Sequence, residues 1–160
     1  MSIAPKLRQY LDDQNVEYDV IAHVPTHSAL QSALASHVPA AQIAKGVLLD
    51  TDEGYLLAVL PANHKIMLAD LTAEFGHRPQ LVPEEALDRI FPDCAMGAVP
   101  PMGPGYDVPM IVDDSLDQQT DIYLEAGDHE SLIHLTHDEF ARLTSKARHA
   151  QFSAHEALLH

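Results

Sequence analysis

One lysine of this chain lies in a run that is otherwise apolar, where a charged amine can hold or stabilise an anion. Lys45 stands in the stretch Ile-Ala-Lys-Gly-Val-Leu-Leu, residues 43–49. An ammonium among apolar side chains is costly unless it reaches water or meets a negative group. Two interpretations therefore stand side by side: Lys45 binds an anionic part of a ligand, or it protects an edge strand against aggregation.

A second segment with chemical potential is rich in glycine and proline. Residues 97–105 read Gly-Ala-Val-Pro-Pro-Met-Gly-Pro-Gly. Proline fixes φ and removes a hydrogen-bond donor, whereas glycine allows positive φ and a close approach of another molecule to the backbone. The sequence therefore predicts a stiff loop with exposed peptide groups, which favours a binding loop over a plain turn.

Other reactive residue types give weaker signals. The pair His134 and His137 spans a predicted strand-to-helix junction, and Pro25 separates His23 from His27. No His-Glu-x-x-His motif occurs, so the sequence predicts no metal site. The single cysteine, Cys94, has no histidine beside it in sequence and is expected to be an inert, buried thiol. The glycine-rich segment lacks the spacing of phosphate-binding and dinucleotide-binding loops.

Periodicity predicts the elements that position these residues. Lys45 belongs to a predicted hairpin over residues 43–60, with the turn Asp-Glu-Gly at its tip. The predicted strands are 16–22, 110–112, 122–124 and 131–135. The predicted helices are 4–15, 26–37, a helix after Ile66 that stops at Gly76, 83–91 and 138–149. In the helix 26–37, Leu30, Ala33 and Leu34 are expected to be buried. A capping box at Thr136 begins the last helix. Because strands and helices do not alternate strictly, we expect one α+β domain on a mixed or antiparallel sheet, residues 1–150, followed by a loosely held tail, residues 151–160.

Composition is typical of a globular protein, but the charge balance is unusual. Hydrophobic residues make up 46% of the 160 residues and charged residues 21%. No apolar stretch reaches 18 residues, the first residues lack an apolar signal core, and there is one cysteine, so a cytoplasmic protein without membrane contact is expected. The net charge of −15 predicts weak long-range attraction to nucleic acid, and no DNA partner is expected.

The two segments, taken together with Val-Pro-Met-Ile-Val-Asp at 108–113 and Ile-Tyr-Leu-Glu-Ala-Gly at 122–127, resemble the YbaK/ProX-type aminoacyl-tRNA deacylases. The same domain is inserted in bacterial prolyl-tRNA synthetases. The resemblance runs from about His23 to about Leu143. It implies a curved mixed or antiparallel sheet surrounded by helices. It also implies hydrolysis of the ester that joins a wrong amino acid to the terminal ribose of tRNA, with no metal and no cofactor.

The resemblance assigns roles to particular positions. It implies that Lys45 and Gly97 are the catalytic positions and that Gly103 closes the loop. An aminoacyl ester is already reactive, so loop peptide groups that orient water and a lysine that neutralises charge are sufficient chemistry. The implied partner is the aminoacylated 3′ end of tRNA, with an aminoacyl-tRNA synthetase as a further candidate.

The remaining implied positions bind the substrate. Asp113 and Gly127 match positions that line the same cavity in the family. His23, Thr26 and Ser28 match an entry segment near the amino-acid pocket. For these three, capping of the helix at 26–37 is an equally good interpretation.

The chain also departs from the family pattern. Gly46 stands where the family usually has threonine, Pro-Ala-Asn-His-Lys at 61–65 replaces a frequent Gly-Asp-Arg-Arg, and Asp-His-Glu at 128–130 replaces a commonly basic turn. The last two changes remove positive charge, so weak autonomous binding of tRNA is expected. The alternative function is a binding module of the same fold that senses a small aminoacyl-type ligand or a protein partner.

Overall fold

The computed structural model describes residues 3–156. The helices are α1 Pro5–Asp13, α2 Ala29–Ser36, α3 Leu68–Phe75 and α4 His137–Leu143. The strands are β1 Asp19–Ala22, β2 Ile43–Thr51, β3 Gly54–Pro61, β4 His64–Ile66, β5 Gln80–Leu81, β6 Met110–Asp113, β7 Asp121–Glu125, β8 Ser131–Thr136, β9 Arg148–Ala150 and β10 Ser153–His155. Short 3-10 helices lie at Ala40–Gln42, Glu84–Arg89, Gly103–Tyr106 and Asp114–Gln118.

A mixed sheet of eight strands organises the molecule. Its order is β1-β8-β7-β2-β3-β6-β9, with β5 paired to the outer part of β2. The β2/β3 hairpin is antiparallel, whereas β2/β7, β3/β6 and β6/β9 are parallel. A second sheet joins β4 to β10. The predicted α+β class with a mixed sheet and surrounding helices is confirmed.

The hairpin that carries Lys45 follows from its sequence pattern. Successive side chains of β2 point to opposite faces of the sheet. Ala44 and Leu48 enter one core cluster, with Leu7 among its members, while Leu49 enters a second cluster that contains Phe152. Lys45 lies on the Leu49 face, and its side chain is partly buried. Among residues 3–156, no helix combines the length and apolar character that crossing a membrane requires.

Local signals predicted several boundaries correctly. Gly76 ends α3 in the left-handed region with φ +81°. The Thr136 side chain caps α4 by accepting the backbone N–H of Glu139. The strands predicted at 110–112, 122–124 and 131–135 are present as β6, β7 and β8.

Other predictions are wrong where local pattern competed with packing. The first predicted strand is shorter and begins at Asp19, and the helix predicted at 83–91 is the 3-10 helix Glu84–Arg89. α2 begins at Ala29 and packs through small side chains, so Ala33 is buried but Leu30 and Leu34 are 39% and 79% exposed.

The C-terminal region also differs from its prediction. The closing helix ends at Leu143, and β9 follows it. Phe152 is buried and β10 pairs with β4, so the described part of the expected tail is an integral part of the fold. Residues 157–160 of that tail lie outside the described residues.

A histidine bridges three strands at one end of the sheet. His134 Nε2 lies 2.7 Å from Asp121 Oδ1 and its Nδ1 lies 3.2 Å from Asp19 Oδ2, while its ring stacks on Tyr123. Partial burial lowers the pKa of His134, but hydrogen bonds to Asp121 and Asp19 outweigh this effect and raise the pKa above its ordinary value. The His134 ring therefore joins β1, β8 and β7, and it does so most strongly when it is protonated.

This bridge predicts a pH dependence of stability. A pKa that is raised on folding gives stability that is fully present below the unfolded value, about 6.5, and is lost as pH rises through the raised value. We expect His134→Asn to lower the melting temperature at about pH 5.5 and to lower it less at about pH 8.5. His37→Asn is the control, because His37 is exposed with φ +58°, which asparagine tolerates. Equal losses at both pH values for His134→Asn would contradict the prediction.

Candidate active site

The cleft that contains Lys45 forms where two neighbouring strands separate. β7 pairs with β2 only through the first two residues of β2, and β5 joins the same edge only from Leu49 onward. Between these ladders, residues 45–48 have no strand partner on that edge in the part of the chain that the structure describes. The gap leaves a cleft of about 150 Å³ beside Lys45.

Four segments supply the walls of this cleft, which we call the Lys45 cleft. They are the start of α2, the start of β2, the glycine-proline loop, and the turn that follows β7. The lining residues are Ser28, Ala29, Ser32, Ile43, Ala44, Lys45, Gly46, Gly97, Val99, Glu125, His129 and Leu132. The structure thus brings together three predicted site residues, Ser28, Lys45 and Gly97, from distant parts of the sequence.

Lys45 supplies the cleft with a partly buried cation. Its Nζ donates a hydrogen bond to the carbonyl oxygen of Ala62 at 3.3 Å. Burial lowers the pKa of Lys45; the charge of Glu156 raises it and that of Lys65 lowers it. A cation in such surroundings interacts with an anion more strongly than a fully solvated cation does.

Gly97 occupies a position that favours glycine. Its φ is +76°, and a Cβ at this position would lie 2.5 Å from Glu84 Oε1 and 3.9 Å from His129 Nε2. The backbone conformation therefore disfavours any other residue, and a side chain would also push the Glu84 carboxylate aside. Gly97 itself lines the cleft.

His129 and Glu125 hold this loop, and the sequence analysis did not identify either of them as a site residue. His129 Nε2 lies 2.6 Å from the carbonyl oxygen of Met96, which can only accept, so His129 donates to the residue before Gly97. Glu125 Oε2 accepts the backbone N–H groups of Gly127 at 2.7 Å and of His129 at 3.2 Å. The sequence did offer one signal for them: Glu125 begins the Glu-Ala-Gly turn, which contains the predicted site residue Gly127, and His129 follows that turn closely.

The entry segment is tied to the same turn. Ser28 caps α2 by accepting the backbone N–H of Gln31 at 3.1 Å, and it also lines the cleft. Thr26 is buried; its Oγ1 lies 2.7 Å from Ser32 Oγ, and its backbone N–H donates to the carbonyl of His129 at 3.0 Å. Capping therefore explains Ser28, while Thr26 positions the wall of the cleft.

His23 lies beside this wall but not in it. Its backbone N–H donates to the carbonyl of Glu130 at 2.8 Å, and its Nδ1 lies 2.6 Å from the carbonyl oxygen of Val24. Its Nε2 is buried and has no hydrogen-bond partner among the described residues. The role that the resemblance implies for His23 stays a prediction.

The structure places two predicted glycines outside the lining of the cleft. Gly103 is buried, and a Cβ there would overlap the carbonyl oxygen of Val108. Gly127 has φ +105°, and a Cβ there would lie 2.7 Å from that of Ala4. Close packing therefore requires glycine at both positions, and this packing fixes the conformation of the loop and of the turn.

Asp113 is also outside the lining. It is 1% exposed, and its carboxylate accepts the backbone N–H of Phe152 at 2.9 Å and that of Ser115 at 3.1 Å. These bonds cap the 3-10 helix Asp114–Gln118 and connect β6 to the C-terminal segment. The contacts are those of a structural carboxylate.

Neither the thiol nor the potential metal ligands line the Lys45 cleft. Burial raises the pKa of Cys94 to about 12, so the thiol stays protonated, as expected for an inert cysteine. Asp114, Asp117 and His149 offer ligand atoms within 4.8 Å of one another, a grouping that the sequence spacing did not indicate. Both ring nitrogens of His149 already have partners, in Asp117 and in the carbonyl of Thr144.

Comparison with known proteins gives the family and the fold. The sequence model of the family described as aminoacyl-tRNA editing domain matches residues 23–143. No curated protein sequence matches the chain. A solved structure of a proposed trans-editing enzyme for prolyl tRNA synthetase is 21% identical, with a TM-score of 0.78, over 94% of this chain and 96% of that chain.

Two further solved structures share the fold. A hypothetical protein is 18% identical with a TM-score of 0.81, over 93% of this chain and 99% of that chain. A proposed signal transduction protein from Marinobacter aquaeolei VT8 is 21% identical with a TM-score of 0.79, over 98% of this chain but 32% of that chain. The same fold therefore occurs both alone and as part of a longer protein.

Proposed function

Since this chain belongs to the aminoacyl-tRNA editing domain family, we propose that it hydrolyses the ester bond of misacylated tRNA, with the Lys45 cleft as its catalytic site. One observation carries the proposal. Lys45, the peptide groups around Gly97, and the entry segment at Ser28 line a single cleft of about 150 Å³, a size suited to a small aminoacyl group.

The chemistry that this cleft supports is attack by water on an activated ester. Water adds to the carbonyl carbon, and the electron pair of the carbonyl bond moves to oxygen. The intermediate then expels the ribose oxygen, which takes a proton originating from the water. The products are a free amino acid and a deacylated tRNA. The charge that develops on the carbonyl oxygen is the feature that a protein can stabilise.

Each wall of the cleft has a part in this scheme. The Lys45 ammonium offsets the developing negative charge or holds the terminal phosphate. The loop at Gly97 presents peptide groups that orient the water and the carbonyl. His129 and Glu125 are positioning residues, because their hydrogen bonds fix the loop and the turn. The scheme uses no metal and no cofactor.

A panel of misacylated tRNAs incubated with the purified protein tests the proposal. We expect release of one or a few amino acids well above the uncatalysed rate, in buffer that contains a strong chelator. The matched blank is the same tRNA without protein. No release from any member of the panel, together with binding of a small aminoacyl analogue, would favour the binding-module alternative instead.

The charge distribution predicts how strongly the protein binds tRNA and how that binding depends on salt. The net charge is −15, and Glu84, Glu85 and Asp88 lie at the rim of the pocket beside Gly97. We therefore expect weak binding of free tRNA with a shallow salt dependence, because few phosphates are neutralised. An aminoacylated acceptor-stem fragment should be hydrolysed nearly as well as full-length tRNA. Binding titrations at several salt concentrations and rates on both substrates check this expectation; a steep salt slope or an uncleaved fragment would contradict it.

A further inference from the structure

We propose that Glu84 and Glu125 recognise the free α-ammonium group of the aminoacyl ester, so that the site acts on unblocked amino acids and rejects N-acylated ones. The inference rests on the proposed function and names the substrate class of the same cleft. It concerns two carboxylates that the sequence analysis did not connect with the site.

The substrate itself requires an anionic partner. An aminoacyl ester carries its amine on the carbon next to the reacting carbonyl, and α-amino groups have pKa values near 7.7–8. At neutral pH this amine is therefore largely an ammonium that enters the cleft with the carbonyl. Lys45 repels it, so the ammonium needs a carboxylate on another wall.

Glu125 provides such a carboxylate in the lining of the cleft. The backbone N–H groups of Gly127 and His129 both donate to its Oε2, which fixes the orientation of the side chain. His129 Nδ1 lies 3.6 Å from Oε1. Oε1 accepts no hydrogen bond from the described residues at hydrogen-bond distance, so it is available to a ligand.

Glu84 provides a second carboxylate, at the mouth. Its Oε1 lies against the α-carbon of Gly97, 2.5 Å from where a Cβ would be. Gly97 and Val99 belong both to the Lys45 cleft and to an adjoining pocket of about 300 Å³, which Glu84 lines. The Glu84 carboxylate has no hydrogen-bond or ion-pair partner among residues 3–156.

The resulting charge pattern matches the reacting group. Lys45 on β2 suits the developing oxyanion, while Glu125, at the end of β7, and Glu84, beside Gly97, suit the ammonium. An N-acyl group removes the positive charge, adds bulk at the mouth, and leaves Glu125 Oε1, on a side chain that is 15% exposed, without the ammonium. Glu84 is exposed, so its carboxylate contributes attraction at the mouth and no burial penalty. A site in which a buried polar group is left unpaired rejects such an analogue strongly.

The experiment compares one substrate with and without its free amine. The tRNA that the panel identifies as the best substrate is hydrolysed before and after N-acetylation of its amino acid, with the wild-type protein. We expect kcat/KM to fall at least about fiftyfold on acetylation, which is in the range of discrimination by a polar contact.

Two variants localise the effect. Glu84→Gln and Glu125→Gln should each lower kcat/KM for the free amine about tenfold. Glu84→Gln should leave the rate on the N-acetyl substrate unchanged. Glu125→Gln also disturbs the turn that positions the Gly97 loop, so it should lower the rate on the N-acetyl substrate too, but by a smaller factor than the rate on the free amine. The discrimination ratio therefore shrinks in both variants, whereas a general loss of structure would lower both rates by the same factor. Glu53→Gln is the control, because it removes the same charge at the exposed tip of the β2/β3 hairpin, outside both pockets, and should leave the ratio unchanged.

The outcomes separate the two proposals. Hydrolysis of both substrates at equal kcat/KM by the wild-type protein overturns the ammonium inference and leaves the deacylase function standing. An unchanged discrimination ratio in both variants overturns the roles of Glu84 and Glu125. Hydrolysis of neither substrate is a failure of the proposed function itself.

Discussion

Lys45→Ala is expected to leave the protein folded and to slow hydrolysis of the ester at least about a hundredfold. Among the described residues that line the cleft, Lys45 is the one lysine or arginine, and its ammonium is partly desolvated. Loss of a charge that stabilises a transition state in a protected site costs on the order of 3 kcal/mol in the barrier. Single-turnover rates on the best substrate, with circular dichroism to confirm folding, measure the effect.

The direction of the stability change distinguishes a catalytic lysine from a structural one. Burying an ammonium is costly, so its removal should keep or slightly raise the free energy of unfolding. Lys146→Ala is the control, because Lys146 is exposed after α4 and does not line the cleft. If Lys45→Ala is folded and hydrolyses the ester as fast as wild type, Lys45 only protects the edge of β2.

Gly97→Ala is expected to lower the rate of hydrolysis by a similar factor, about a hundredfold, through geometry alone. An alanine at φ +76° is strained by about 1–2 kcal/mol. Its Cβ would also push the Glu84 carboxylate aside, and relaxation of the strained backbone shifts the loop. A displacement of loop peptide groups by about 1 Å at a reacting centre is enough for a loss of this size.

The chain offers a matched control for the backbone strain. Gly76 has φ +81°, and a Cβ there meets nothing within 4 Å. Gly76→Ala should therefore lose about as much stability as the strain at Gly97 costs, while hydrolysis proceeds at the wild-type rate. Equal rates for Gly97→Ala and wild type would show that the loop does not orient the reaction.

Features set by short stretches of sequence could be predicted, and features set by distant pairing could not. The β2/β3 hairpin and the cap at Thr136 depend on residues within a few positions of one another. β9 and β10 are each three residues long and lie in a largely polar stretch, so their periodicity is too short to detect. They form because β6 and β4 offer edges to them.

The same division applies to the candidate site. A lysine in an apolar run and a run of glycines and prolines drew attention to Lys45 and to the loop at Gly97, and the family resemblance then implied their catalytic roles. Glu84, Glu125 and His129 carry no such mark: acidic residues at a helix start and at a turn are common on surfaces. The place of Glu125 and His129 beside Gly97 depends on how β7 lies against β2, a pairing between segments about 80 residues apart in sequence. Glu84 lies there because it follows β5, which pairs with the same edge of β2.

The short ladder between β2 and β7 leaves two parts of the sheet joined by few backbone hydrogen bonds. β1, β8 and β7 form one part of the sheet, and β2, β3, β6 and β9 form another. Among the described residues, only two residue pairs join the two parts along the strands. Side-chain packing supplies the rest of the connection, because one core cluster contains Leu48 and Val59 from one part and Leu124 and Ile133 from the other. The seam borders the Lys45 cleft, so apolar packing across the seam, more than a hydrogen-bonded ladder, holds the two sides of the cleft at their distance.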